Sequence, residues 1–233
     1  MAEPLPVVLV PALLASPRLY AAQLPALWRF GPVTVADPIR DDGMAAIAGR
    51  ILAAAPPRFA LVGLSMGGYV AFEIVRQAAD RVSRLALLDT TARPDTPEQS
   101  ERRRAQIALT RRGGFAEVVD QLFPAWVHPA HRGDAALRAL VRTMAEETGP
   151  DAFVRQQTAI MGRADSRPDL GAIGCPTLVL VGDGDEPTPP DRAEELAAGI
   201  PGARLEVVGE CGHLSTIDRP EPVTAALVRW LQG

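Results

Sequence analysis

The sequence predicts an α/β protein built on a mainly parallel sheet, and three observations predict it. Short apolar runs rich in Val, Leu and Ala recur between longer stretches of helical periodicity, the alternation of buried parallel strands and covering helices. A length of 233 residues with 47% apolar and 22% charged residues suits one full-sized core in an ordinary globular protein. The alternation then fails between about Arg93 and Pro168, where no strand-like run occurs, so an all-helical segment interrupts an otherwise continuous pattern.

Taken in order, Val7 to Val10 reads as the first strand, an apolar run too short for a buried helix. A helix is expected over Ser16 to Trp28, opened by Ser16 and Pro17. A strand at Val33 to Ala36, a helix at Gly43 to Ala54, a strand at Phe59 to Val62 and a helix at Met66 to Ala79 follow, then a strand at Leu85 to Leu88 that ends beside Asp89. Four helical stretches come next, with breaks at Gly113-Gly114, Pro129 to Gly133 and Gly149-Pro150 that suit short interhelical links. The strand pattern resumes at Thr177 to Val181 and Leu205 to Val208, with helices at Asp191 to Ala198 and Pro220 to Gln232. Residues 1–92 and 169–233 are therefore expected to form one core and residues 93–168 a helical cap. A cap inserted at the carboxyl edge of a parallel sheet lies over the place where such sheets bind ligands.

Composition narrows the function. The formal charge of -4 gives no sustained basic field, so nucleic acid is not an expected partner. The apolar runs fall far short of the roughly 20 residues that a spanning helix needs. The first residues lack a cationic start and a small-residue cleavage site, so a cytoplasmic protein without membrane association is expected. Cys175 and Cys211 are expected to be reduced, as two small buried residues. The sequence has no lysine, which removes Schiff-base chemistry and a P-loop lysine, and no asparagine, which removes a Cys-His-Asn triad.

One constellation carries chemistry. The strand at Phe59 to Val62 runs into Gly63-Leu64-Ser65-Met66-Gly67 and then a helix, which is Gly-x-Ser-x-Gly in the strand-turn-helix context it requires. A serine on so tight a turn needs strained backbone angles, and glycine two residues to either side lets strand and helix approach. A serine hydroxyl also needs a neighbouring base. Of the three histidines, His128 and His131 fall in the cap, while His213 sits in a loop after the last strand, opening at the same sheet edge as Ser65. The orienting acid should leave a strand end between serine and histidine. Asp185, in Gly182-Asp183-Gly184-Asp185-Glu186, meets this, with Asp183, Glu186 and Asp89 open as alternatives. Asp89 reads as a cap on its following loop, and Asp218 and Glu221 read as helix-start residues. For an oxyanion, the backbone N-H of Met66 at the helix start and that of Leu13 after the first strand are the candidate donors.

These residues resemble the α/β-hydrolase superfamily over nearly the whole chain. The resemblance lies in the turn Gly63 to Gly67, in Val181-Gly182-x-x-Asp185 followed by Thr188-Pro189-Pro190, and in Gly212-His213-Leu214 followed by Arg219-Pro220-Glu221. It implies the α/β-hydrolase fold with a sheet of about six strands, a helical cap after Asp89 and the order Ser65, Asp185, His213. Two departures stand out: Pro11-Ala12 occupies the place where many members carry His-Gly, and the chain opens at the strand that is usually third. A serine at the turn, where haloalkane dehalogenase relatives carry aspartate, implies acyl chemistry.

The expected activity is hydrolysis of a carboxylic ester or related acyl bond through an acyl-enzyme, with no metal or organic cofactor. Carbon-carbon bond, lactone or thioester cleavage and a lyase step are alternatives on the same residues, and a non-catalytic ligand-binding protein of the same fold is a further one. Pocket candidates are Leu14, Phe123, Trp126, Met161 and Leu214, with Phe115, Leu122 and Phe153 beside them. Such a pocket would be apolar and favour small or medium uncharged esters. The charge cluster Glu101 to Arg104 and the pair Arg111-Arg112 are expected on solvated helix faces.

Overall fold

The computed structural model describes residues 4–233. Six strands form one all-parallel sheet: β1 (Val7–Val10), β2 (Val33–Val35), β3 (Phe59–Leu64), β4 (Val82–Leu88), β5 (Thr177–Gly182) and β6 (Arg204–Val208), in the spatial order β2-β1-β3-β4-β5-β6. At the centre Val10 stands beside Gly63, Leu64 beside Leu88 and Leu88 beside Leu180, with one register shift between Phe59 and Ala60 where β3 starts to pair with β4. Every residue of β3 and β5 is buried, whereas the edge strands β2 and β6 are partly open. That is why the central strands are continuous apolar runs rather than alternating ones.

Alternation along each strand still divides the core into two halves. Ala60, Val62 and Leu64 of β3, with Leu9, Leu88 and Leu180, face α10 (Pro220–Gln232). Phe59 and Leu61, with Val8, Leu87 and Val181, face α2 (Met44–Ala54), α3 (Met66–Ala78) and α8 (Pro190–Gly199).

The expected helix over Ser16 to Trp28 is two pieces, a single 3-10 turn at Pro17–Tyr20 and the short α1 (Leu24–Leu27). Pro25 is the reason: without an N-H it cannot bond back by four residues, so it is accommodated only in the first turn of a new helix. The two pieces are tied down by buried polar groups, Tyr20 Oη donating to Val10 O at 2.9 Å and Gln23 Nε2 donating to Thr216 O at 3.0 Å.

Between β4 and β5 the chain forms α4 (Pro97–Arg111), α5 (Phe115–Trp126), α6 (Ala135–Thr148) and α7 (Pro150–Met161). Two of these starts carry side-chain caps. Thr96 and Gln99 make a reciprocal capping box at α4, and Asp134 accepts from the N-H groups of Ala136 and Leu137 at α6. After β6, the short α9 (Ser215–Asp218) precedes α10. No helix among the described residues is long and apolar enough to cross a membrane.

Candidate active site

All six strands point the same way, so the loops leaving β1, β3, β4, β5 and β6 open at one edge of the sheet. At the end of β3, Ser65 takes φ 55° and ψ -113°, a region costly for any side chain and typical of functional turns. Close packing holds it there. A Cβ on Gly67 would lie 2.1 Å from the carbonyl oxygen of Val10, and one on Gly63 would lie 2.3 Å from that of Gly67. The Ser65 N-H donates to Leu88 O at 2.9 Å, locking the turn to β4.

The loop after β6 brings His213 to this turn. Its Nε2 lies 2.8 Å from Ser65 Oγ, and its Nδ1 lies 2.9 Å from both carboxylate oxygens of Asp185. All three side chains are buried. Thr188 completes the arrangement: its N-H donates to Asp185 Oδ1 at 2.9 Å and its hydroxyl to Asp185 Oδ2 at 2.8 Å. The carboxylate is thus pinned beside the imidazole by an Asp-x-x-Thr turn, a stretch quoted above for the resemblance but given no role for Thr188.

The competing carboxylates have other partners. Asp183 accepts from the N-H of Cys211 at 3.0 Å; burial works against its charge, yet the Cys211 and Glu210 N-H groups outweigh this and hold its pKa below the ordinary value. Glu186 pairs with Arg132. Asp89 does not serve its own following loop as expected; it accepts from the N-H of Gly182 at 3.0 Å and from the Ser215 hydroxyl, bracing the β5 and histidine loops. Burial, then the nearby Asp185 charge, pushes the Asp89 pKa well above the usual carboxylate range.

Asp218 also differs from its expected place at a helix start. It ends α9 with its side chain buried, accepting from Gly212 N at 2.6 Å and His128 N at 2.9 Å and meeting His131 Nδ1 at 2.6 Å. Gly212 itself packs so closely that a Cβ would lie 2.4 Å from the backbone of Val127 and His128, and Leu214 N donates to Trp126 O at 2.9 Å. The histidine loop is therefore laced to the end of α5.

Above Ser65 and His213 lies a cavity of about 450 Å³, with Leu13, Tyr69, Leu122, Trp126, Ile160, Pro187 and Leu214 among its apolar lining. Trp126 and Leu214 thus stand where the sequence placed them, but Leu14, Phe123 and Met161 do not line it. Leu14 is buried in the core, with φ 59° and its N-H donated to Gln156 Oε1 at 3.1 Å. Phe123 and Met161 follow the lining residues Leu122 and Ile160, and one residue rotates a helical side chain by about 100°, out of the cavity. Phe123 packs under the Arg138 guanidinium at 4.2 Å instead, and Phe115 and Phe153 pack on each other with ring centroids 6.0 Å apart. The expectation of a pocket with few charges is overturned as well, since Gln99, Arg102, Arg103, Gln106, Arg163 and Glu186 share the lining. The Glu101 to Arg104 cluster is divided: Glu101 and Arg104 pair with each other at the surface, whereas Arg103 turns inward to Asp95.

Parallel sheets wound in this order, with a serine on the tight turn after a central strand, define the α/β hydrolases as a class. This chain belongs to the alpha/beta hydrolase family, whose family model matches residues 4–226. It is 27% identical over 221 residues to the pimeloyl-[acyl-carrier protein] methyl ester esterase of Neisseria meningitidis serogroup B, covering 91% of this chain and 85% of that one. Among solved structures it is similar to a thermophilic esterase from Thermogutta terrifontis, with 33% identity and a TM-score of 0.89 over 98% of this chain and 89% of that one. The enol-lactonase of Burkholderia xenovorans LB400 matches with 26% identity and a TM-score of 0.90, over 100% of this chain and 93% of that one.

Proposed function

We propose that this chain is a serine hydrolase that cleaves a carboxylic ester through an acyl-enzyme, with Ser65 as nucleophile, His213 as general base and Asp185 as the acid that orients the histidine. The observation that carries the reading is the unbroken series Ser65 Oγ, His213 Nε2, His213 Nδ1 and the Asp185 carboxylate, each step within 2.9 Å. In that series Ser65 Oγ attacks the ester carbonyl while Nε2 takes its proton, and Asp185 stabilises the imidazolium that results. Nε2 then returns the proton to the leaving alcohol. A water deprotonated by the same nitrogen cleaves the acyl-enzyme, releasing the acid and restoring Ser65.

The N-H groups of Leu13 and Met66 are the donors proposed for the oxyanion. Leu13 lines the cavity, and Met66 opens α3, where an N-H has no carbonyl of its own helix to meet. One such donor is worth roughly 3 to 4 kcal/mol in related acyl transfer. The adjacent Leu14 N-H is already taken by Gln156, which leaves Leu13 as the donor from that turn. Residues 93–168 act as a cap: α4, α5 and α7 supply Arg103, Trp126 and Ile160 to the cavity wall. The esterases and the enol-lactonase among its relatives support this reaction class, a lactone being an internal ester. Both cysteines are free thiols, which suits a reducing cytoplasm.

The test is covalent labelling. A fluorophosphonate probe should add one mass equivalent to the protein at Ser65, and Ser65→Ala should remove both labelling and ester turnover. Equal labelling of variant and parent would refute the assignment.

A further inference from the structure

The wall of the cavity facing Ser65 is strongly basic. Arg102 and Arg103 of α4 line it, as does Arg163 just beyond α7. Arg103 Nε and Arg163 Nη1 converge on the buried Asp95 carboxylate at 2.6 and 2.5 Å, so one carboxylate holds two guanidiniums. Arg163 is further fixed by the carbonyl oxygens of Arg93 and Ile160 and lies over the Tyr69 ring, 4.3 Å from its centroid. Arg102 has no ion-pair partner within 4 Å among the described residues, and its charge contributes only weakly to holding down the pKa of Glu98, one turn back on the helix. The one carboxylate in the lining, Glu186, is paired with Arg132. Among the lining residues and their ion-pair partners, four guanidiniums stand against two carboxylates, an excess of two positive charges. Asp185 does not line the cavity; its charge lies behind the imidazole of His213 and is held by Thr188.

The neutral groups of the same wall have the same polarity. Arg103 Nη1 donates to Gln157 Oε1 at 2.7 Å, which turns the Gln157 amide nitrogen onto Gln106 Oε1, also at 2.7 Å. Because an arginine cannot accept, this chain has only one direction, and it leaves Gln106 with its amide N-H groups to offer. Gln99 is oriented in the same way, its Oε1 taken by the N-H of Thr96 at 2.8 Å. A wall in which Gln99, Arg103 and Gln106 are half-buried, Arg163 is buried and Arg102 is exposed at the mouth, with excess positive charge and free donors, favours an anion, for which the guanidinium fork is the matching partner.

We propose that the substrate is an anionic ester, one carrying a carboxylate besides the scissile carbonyl, and that Arg102 meets this carboxylate while the Asp95-anchored pair of Arg103 and Arg163 supplies the surrounding field. This rests on the hydrolase reading of Ser65, and the test separates the two. Two matched pairs of esters are compared by kcat/KM. With the charge on the acyl side these are the mono-para-nitrophenyl ester of glutaric acid and para-nitrophenyl pentanoate; with the charge on the alcohol side, para-acetoxybenzoate and para-acetoxybenzamide.

In one pair the anionic ester is expected to be favoured at least about tenfold, the usual worth of a charge-assisted contact. That ratio should fall about tenfold in Arg102→Gln, invert in Arg102→Glu and shrink as salt rises from 0.05 to 0.5 M. Ratios near one in both pairs, or ratios unmoved by both Arg102 substitutions, overturn the proposal while turnover of the neutral esters leaves the hydrolase reading standing. Failure of every ester both to turn over and to acylate Ser65 overturns both.

Discussion

Replacing Asp185 by asparagine changes one carboxylate oxygen to an amide nitrogen without changing the shape of the site. The surroundings dictate which oxygen is lost. Thr188 N donates to Oδ1 at 2.9 Å and can only donate, so the amide oxygen must remain there and the NH2 must take the Oδ2 position. That position is 2.9 Å from His213 Nδ1. The retained amide oxygen is equally close to Nδ1 at 2.9 Å, but the new donor is satisfied by the ring only when Nδ1 carries its lone pair, which shifts the histidine toward the tautomer with its proton on Nε2, 2.8 Å from Ser65 Oγ. In that tautomer the histidine cannot take the serine proton, and the charge that would stabilise an imidazolium is gone as well. The expected loss is on the order of 10⁴ in kcat, or about 5 kcal/mol of transition-state stabilisation. Stopped-flow acylation with para-nitrophenyl acetate reads it, with circular dichroism melting to establish that the variant is folded. A folded Asp185→Asn protein that loses less than about tenfold, or a larger loss in Asp183→Asn, would refute the reasoning and move the role to another carboxylate.

Three further outcomes follow from the same geometry. Gly67→Ala places a methyl group 2.1 Å from the Val10 carbonyl oxygen, a backbone atom that cannot step aside, so a destabilisation of about 3 kcal/mol and loss of Ser65 labelling are expected; a denaturation midpoint equal to the parent's would contradict the packing account. Asp89→Asn keeps the bond from Gly182 and can reverse the one from Ser215, while removing a buried charge beside Asp185. Because the folded pKa of Asp89 is raised, the parent is penalised once pH exceeds the unfolded value near ~4, and increasingly up to the folded value. The melting temperature of Asp89→Asn should therefore gain on the parent as pH rises from 4 to 8 and match it at lower pH, and a gain confined to acid would reverse the sign of the argument. Burial, with four carboxylates around it, raises the Cys211 thiol far above its ordinary range, while Cys175 is raised by burial to a lesser extent and is only half-buried. Iodoacetamide at pH 8 should modify Cys175 of the native protein first and Cys211 only after denaturation, as read by peptide mass; the opposite order would show that the loop beside His213 opens freely.

Much of the architecture was legible in the residues because it rests on local rules. The all-buried strands read as apolar runs, and Gly63-Leu64-Ser65-Met66-Gly67 announced a strand-to-helix turn whose two glycine positions have no room for a side chain. The parallel direction then sent the loops bearing Asp185 and His213 to the edge where Ser65 stands. What failed locally also had a local cause: Pro25 breaks the helix expected over Ser16 to Trp28, and the one-residue offsets at Phe123 and Met161 are a matter of helical phase.

The sequence by itself therefore determined the class of fold, the turn that carries Ser65 and the order of the residues brought to it. Only the tertiary structure decided which carboxylate meets the imidazole and what lines the cavity. The sequence pointed to Asp185 but left Asp183 open beside it, and they separate because Cys211 N engages one while Thr188 and His213 engage the other. The basic wall was hidden for the same physical reason: an arginine reads as solvated unless a distant carboxylate draws it inward. Asp95 does so for Arg163 across 68 positions of the chain, a compensation that no window of the sequence contains.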